Sequence, residues 1–324
     1  MKLNLPPKGA RKDYYKKLFM GSNEKRGILM SVVVYVLLIT IAFIFLYPVL
    51  YMLSRSFMTS KDLLDSSTTW IPTTLTLDNY GAAIITMDYW NTLLKNIWLA
   101  ALSTLGQVLI CSWVGYGFAR YNFPGKMLWM GILILSFLLP TQTTALPNYL
   151  LFSQFQMLDG TVKPFLIMSL LGQGFKSVLC ILIFYNFHRQ VPWSLIEAAE
   201  IDGAGHIKAY FRIAIPLSSA AIVCVTLFSF VWYWNETYLI RQYLGYGASR
   251  NNALTTLMIE LSKFDDSYGA TVGASSGGST SSNKLNDAIR MAGTMLSVAP
   301  LMIMYFFLQK QFVESVDRAG ITGE

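Results

Sequence analysis

The residues best suited to touch a polar solute end one of the apolar runs: Trp232-Tyr233-Trp234-Asn235-Glu236. Aromatic faces pack on the C–H surfaces of pyranose rings, while an amide and a carboxylate bind hydroxyls, so Trp232, Trp234, Asn235 and Glu236 would suit a sugar. Lys176 and Arg290 also fall within or beside apolar runs, and ionisable groups inside a membrane often mark solute pathways. Together they leave an anionic sugar open. The alternative is that Lys176, Glu236 and Arg290 each sit at a span end and snorkel toward the interface. Other chemistry is not encoded. No G-x-x-x-x-G-K-[ST] occurs: Gly278 to Lys284 lacks the second glycine and the hydroxyl after the lysine, so the chain itself should not bind ATP in a phosphate loop. The histidines, His188 and His206, pair with no Cys or carboxylate at ligand spacing and read as interface residues. Cys111, Cys180 and Cys224 lack metal spacing and read as packing residues. No Ser/His/Asp set emerges. The chain is not expected to be an enzyme or to hold a metal or cofactor.

What must position the polar residues is a set of membrane helices. The chain has 324 residues, 54% hydrophobic and 13% charged, with mean hydropathy +0.44. A soluble chain of this size would carry nearly twice that charge fraction. The net charge of +7 does not call for a nucleic acid, because the basic residues sit mostly at span ends. Eight of them precede the first span: Lys2, Lys8, Arg11, Lys12, Lys16, Lys17, Lys25 and Arg26. They read as a positive-inside anchor, which puts both termini in the cytoplasm.

Six spans are expected, giving an all-α polytopic membrane protein. A cytoplasmic segment, 1–27, precedes a transmembrane domain, 28–310, and a cytoplasmic tail, 311–324. The first span runs from Ile28 to about Leu53. The second fills the uncharged window between Lys95 and Arg120, where Gly106, Gly115 and Gly117, with Ser103 and Ser112, permit close helix contact. The turn Asn122–Lys126 should make spans two and three antiparallel neighbours. Pro140 and Pro147 should end the third near Leu139. The fourth covers 164–188, interrupted by Lys176. The fifth opens at Pro216, and the sixth covers Ala288–Leu308, where Pro300 frees a carbonyl that needs a neighbour. Outer segments are expected at 55–95 and 237–287, the latter Gly/Ser/Thr-rich from Gly269 to Ser282.

The longest polar stretch of the second half, 194–216, has its own order. Ser194 and Glu197 read as a capping box opening a short helix, and Gly203 or Gly205 can supply the left-handed residue that ends it. A second short helix would place Ile207, Tyr210, Phe211 and Ala214 on one apolar face. The stretch reads as a helix–turn–helix between spans four and five.

This stretch resembles the EAA loop of ABC importer permeases. Glu197, Ala198, Ala199, then Gly203, then Ile213, Ile215 and Pro216 match that motif in order and spacing, with Ile215 where leucine is usual. Asp202-Gly203-Ala204 is similar to the form common in the carbohydrate-uptake, maltose-transporter-like branch. Two further matches are Trp70-Ile71-Pro72 through Asn79-Tyr80, and Gln309-Lys310-Gln311-Phe312-Val313; the W-N-E run is also common in the family and could equally be structural. The resemblance implies a coupling helix docking on an ATPase, with Glu197, Ala198, Ala199, Asp202, Gly203, Ile213 and Pro216 as the coupling residues. Glu197 would cap its own helix or pair with a basic group of the ATPase. It further implies a second homologous permease chain, two ATPase subunits that hold ATP and magnesium, an extracytoplasmic solute-binding protein, and a sugar or oligosaccharide as cargo. A non-sugar cargo is the first alternative. A self-sufficient secondary transporter is the second, and it would need mid-span carboxylates and an internal repeat. Spans one, two, three and six contain no Asp or Glu, and the 194–216 stretch is not repeated.

Overall fold

The computed structural model describes residues 21–22, 25–65, 70–244, 254–264 and 282–321. Most of the basic N-terminal segment, most of the Gly/Ser-rich loop and the last three residues lie outside them. The chain divides between Leu77 and Asp78 into two compact units.

The first unit holds a two-residue antiparallel ladder, β1 (Gly21–Ser22) with β2 (Lys25–Arg26), and the helix α1 (Ile28–Ser56). At about 1.5 Å per residue, its 29 residues exceed the hydrocarbon thickness of a bilayer, about 30 Å. The first expected span is present and three residues longer. Near its C-terminal end Tyr47 meets Trp70 edge to face at 4.9 Å, and Arg55 lies over the Tyr51 ring at 5.2 Å, an aromatic group suited to the membrane interface. A short α2 (Ser60–Leu64) follows, with a Thr59/Asp62 capping box.

The second unit begins with α3 (Asp78–Thr86) and is built on α4 (Tyr89–Arg120), the second expected span. α4 packs on α7 (Lys163–Leu170), α8 (Ser177–Gln190), α12 (Ser219–Asn235) and, less extensively, α14 (Leu257–Ser262). Glycine allows the close approach. A Cβ at Gly115 would lie 2.7 Å from the Phe184 Cβ and 2.9 Å from the Tyr185 N of α8, and one at Gly106 would lie 2.5 Å from the Ser169 hydroxyl. Gly117 faces open space and has no part in this packing. Cys111 and Cys180 are buried with Phe184 and Val225 between these helices, as free thiols.

Among the described residues, three helices are long and apolar enough to cross a membrane: Ile28–Ser56, Tyr89–Arg120 and Asp287–Gln311 of α15 (Ser282–Ile321). Two bent pairs raise that to five by length and composition, so the helical, polytopic membrane fold expected from the sequence forms with some of its spans broken. The third expected span is α5 (Lys126–Phe137) followed, after a 98° turn, by α6 (Thr141–Gln154). Pro140 lies in that turn, but Pro147 sits inside α6 and does not end it. α5 makes its main contacts with α8, so the expected pairing of spans two and three is not its principal packing. The fourth expected span is two helices. Gly172 (φ 71°) and Lys176 (φ 48°) are left-handed and break 164–188 between α7 and α8. The 14 residues of α8 rise only about 21 Å.

The sixth span answers the question its proline raised. α15 continues through Pro300. A proline leaves the carbonyl four residues earlier without its helical N–H, and here Tyr89 Oη donates to Leu296 O at 3.1 Å. One residue on, Trp234 Nε1 donates to Ser297 O at 3.2 Å.

Candidate functional site

The 194–216 stretch folds as the expected pair of short helices but with different ends. α9 (Trp193–Ile201) starts earlier than the Ser194/Glu197 capping box allowed. Pro192, fixed at φ −57°, is its N-cap and no side-chain cap forms. Ser194 therefore lies inside the first turn, and Glu197 is exposed rather than engaged in a cap. The C-terminal end follows the sequence. Gly203 adopts φ 78°, Ala204 N donates to Ala199 O at 2.8 Å and Gly203 N to Glu200 O at 3.0 Å, which is a Schellman closure.

After Gly205 the chain forms α10 (His206–Ala209), a π-helical turn over Tyr210–Ala214 and α11 (Ile215–Leu217). The wide turn alters the expected apolar face: Tyr210 and Ala214 are buried, but Ile207 is 63% exposed and Phe211 51% exposed. Nor does the fifth span open at Pro216. Residues 206–217 meet α12 at a 78° bend at Ser218.

Three contacts hold this helix pair to the end of α4. The Arg120 guanidinium donates to Val191 O and lies over the Trp193 ring at 5.5 Å. Tyr210 Oη donates to Ser112 Oγ at 2.9 Å. Tyr116, Val191, Ile196, Ala209, Tyr210 and Ala214 form a buried apolar cluster, with Ile213 and Ile215 packed against it. The sequence reasoning missed Arg120, Trp193 and Ser112 as anchors. The signal was there for Arg120, the first charge after an uncharged window that begins at Asn96.

The expected coupling residues therefore divide. Glu197, Ala198, Asp202, Gly203 and Pro216 are exposed, Ala199 is half-buried, and Ile213 packs inward. Ile201, 86% exposed, stands among the outward residues. His206 Nδ1 lies 3.0 Å from Glu200 Oε1 on the same surface. The result is an exposed face carrying acidic and apolar groups.

Four of the five expected solute-path residues share one cleft of about 300 Å³: Lys176, Trp232, Asn235 and Glu236, with Gln142 and Tyr238 beside them. Lys176 Nζ lies 5.2 Å from the Trp232 ring centroid. Glu236 Oε1 accepts from Leu239 N at 2.8 Å, which fixes the carboxylate at the start of α13 (Tyr238–Leu244). Arg290 lies outside the cleft's lining. Trp234 does too: it is fully buried, its indole holding α15 at Ser297. Tryptophans two apart in a helix point to different sides, so one faces the cleft and the other the core.

No group of three or more His, Cys, Asp or Glu side chains among the described residues could hold a metal ion.

Comparison with known proteins places these features in context. Residues 107–318 match the model of the family described as the binding-protein-dependent transport system inner membrane component. The chain is 27% identical over 302 residues, 91% of its length and 94% of the other's, to an osmoprotective compounds uptake permease protein of Synechocystis sp.. It is 25% identical, over 87% of its length and 93% of the other's, to an arabinooligosaccharides transport system permease protein of Halalkalibacterium halodurans. The fold is similar, at TM-score 0.70 and 19% identity, to a chain in the crystal structure of a bacterial ABC transporter involved in importing the acidic polysaccharide alginate. That match covers 88% of this chain and 96% of that one.

Proposed function

We propose that this chain, which belongs to the family of binding-protein-dependent transport system inner membrane components, is the permease subunit of an ATP-driven importer of sugars or oligosaccharides. The observation that carries the reading is the exposed face Glu197–Gly203, anchored to the end of α4 by Arg120 and Tyr210.

In this reading the chain is not itself a catalyst. A pair of ATPase subunits binds ATP and magnesium and closes, and Glu197, Ala198, Ala199, Asp202 and Gly203 ride on one of them. Ile213 and Pro216 pass the motion inward, Ile213 through the buried cluster. A second homologous permease completes the path, and a solute-binding protein delivers cargo from outside. Both termini and the 194–216 stretch lie in the cytoplasm. Lys176, Trp232, Asn235 and Glu236 contribute one wall of the path: the indole offers a face for a sugar ring, the amide and carboxylate offer hydroxyl partners, and Lys176 admits an acidic sugar. The arabinooligosaccharide relative supports that cargo class. The osmoprotectant relative favours a second cargo reading, a small compatible solute, for the same architecture.

The test is purification of the tagged chain in mild detergent, with co-purifying proteins identified by mass. An ATPase and a second permease bearing the same loop are the expected result. Recovery of the chain alone, stable and transporting without ATP, would overturn it.

A further inference from the structure

We infer that His188 is a positioning residue for transport: the junction through which movement of the 194–216 stretch reaches α12. The inference rests on the importer reading above. His188 lies in the last turn of α8 and is fully buried. Each ring nitrogen faces a hydroxyl from a different element. Ser112 Oγ of α4 lies 3.3 Å from Nε2, and Ser218 Oγ, at the 78° bend, lies 3.1 Å from Nδ1. Tyr210 Oη, from the π-helical turn, donates to the same Ser112 hydroxyl at 2.9 Å. With that hydroxyl accepting from Tyr210, its proton is directed to Nε2, and Nδ1–H is left to donate to Ser218. The ring cannot turn freely, because Tyr116 meets it edge-on at 5.4 Å and Phe184 stacks on it at 5.8 Å.

The tethered parts differ in how closely they are packed. α4 and α8 approach backbone to backbone at Gly115, which leaves no room for one to slide past the other. The chain between residue 217 and α12 has only Ser218, at φ −99° and ψ 21°, to connect two helices that point in different directions. That is where a hinge would open. Ser112, His188 and Ser218 are each almost fully buried, so breaking either bond strands a polar atom away from water. The junction therefore holds the bend closed and makes the 194–216 stretch, α8 and α12 move together.

The experiment uses the complete importer in lipid nanodiscs, with spin labels on cysteines introduced at Ile201 and Val223. The native cysteines are buried and escape labelling. Distances are measured nucleotide-free and trapped with ATP and vanadate, alongside the stimulation of ATP hydrolysis by the binding protein. The wild type should show one dominant distance population and a trace second one, the same in both states. His188→Asn, whose amide overlays Nδ1 and keeps the Ser218 bond, should match it. His188→Gln, whose amide overlays Nε2, and Ser218→Ala should each raise a second population about tenfold, the equilibrium factor of one buried hydrogen bond. Hydrolysis should continue but lose its stimulation. If His188→Gln fails to assemble, Ser218→Ala, which removes a single hydroxyl, decides. The inference is overturned if the Asn and Gln variants behave alike, or if Ser218→Ala keeps the wild-type population and stimulation. Failure of the wild-type chain to assemble with any ATPase sinks the importer reading first, and this inference with it.

Discussion

Replacing Gly203 tests whether the shape of the coupling loop is set by one backbone conformation. Gly203 sits at φ 78°, and a Cβ built there meets nothing within 4 Å. Any cost of Gly203→Ala is therefore conformational, not steric crowding. An L-residue in the left-handed region costs about 1–2 kcal/mol, and asparagine costs less because it tolerates that region. Two bonds depend on this geometry, from Ala204 N and Gly203 N to the carbonyls of Ala199 and Glu200. Losing about 1–2 kcal/mol from the closed loop should speed exchange of the Ala204 amide by about 5- to 30-fold. The assay is hydrogen–deuterium exchange with mass spectrometry on the importer in nanodiscs, following peptides across 195–210. Gly203→Asn should fall between wild type and Gly203→Ala. Unchanged exchange in Gly203→Ala, or equal exchange in the two variants, would refute the claim that the left-handed residue holds the loop.

Trp234→Phe removes the indole donor to Ser297 O and with it a buried contact between α12 and α15. It should lower stability by about 1 kcal/mol in a detergent unfolding series, and should alter affinity for cargo less than Trp232→Phe does. Gly115→Ala forces a methyl to within 2.7–3.0 Å of α8 atoms that include backbone; it should destabilise by about 1–3 kcal/mol, while Gly117→Ala, facing open space, should not. Glu197→Gln should leave folding within about 0.5 kcal/mol, since the exposed carboxylate caps nothing; a loss of stimulated ATP hydrolysis would then report a charge contact with the ATPase, and normal hydrolysis would rule that contact out.

The parts legible in the sequence were those set by local chemistry. Uncharged windows marked α1, α4 and the apolar part of α15, and Gly203 ended its helix because few other residues adopt that backbone. Pro300 announced a need for a donor, and Tyr89 supplies it from elsewhere in the chain. What did not show was set by packing between distant segments. The capping box failed because Pro192 started the helix first. Ile207 and Phe211 were lost from the buried face because a π-helical turn shifts the register that a 3.6-residue period assumes. The fourth span broke because Gly172 and Lys176 are both left-handed, and hydropathy carries no record of φ. Trp232 and Trp234 look alike in sequence, yet one lines the cleft and the other braces a helix. His188 looked inert because its partners, Ser112 and Ser218, lie 76 and 30 residues away.

The most direct test of the central claim is uptake by proteoliposomes holding the complete importer, with its binding protein outside and ATP trapped inside. The probes are radiolabelled di- and trisaccharides, an acidic trisaccharide and a small osmolyte. Accumulation of at least one saccharide that requires both internal ATP and the binding protein is the predicted result. Equal accumulation without ATP, or ATP-dependent uptake of the osmolyte alone, would contradict the account: the first its mechanism, the second its cargo.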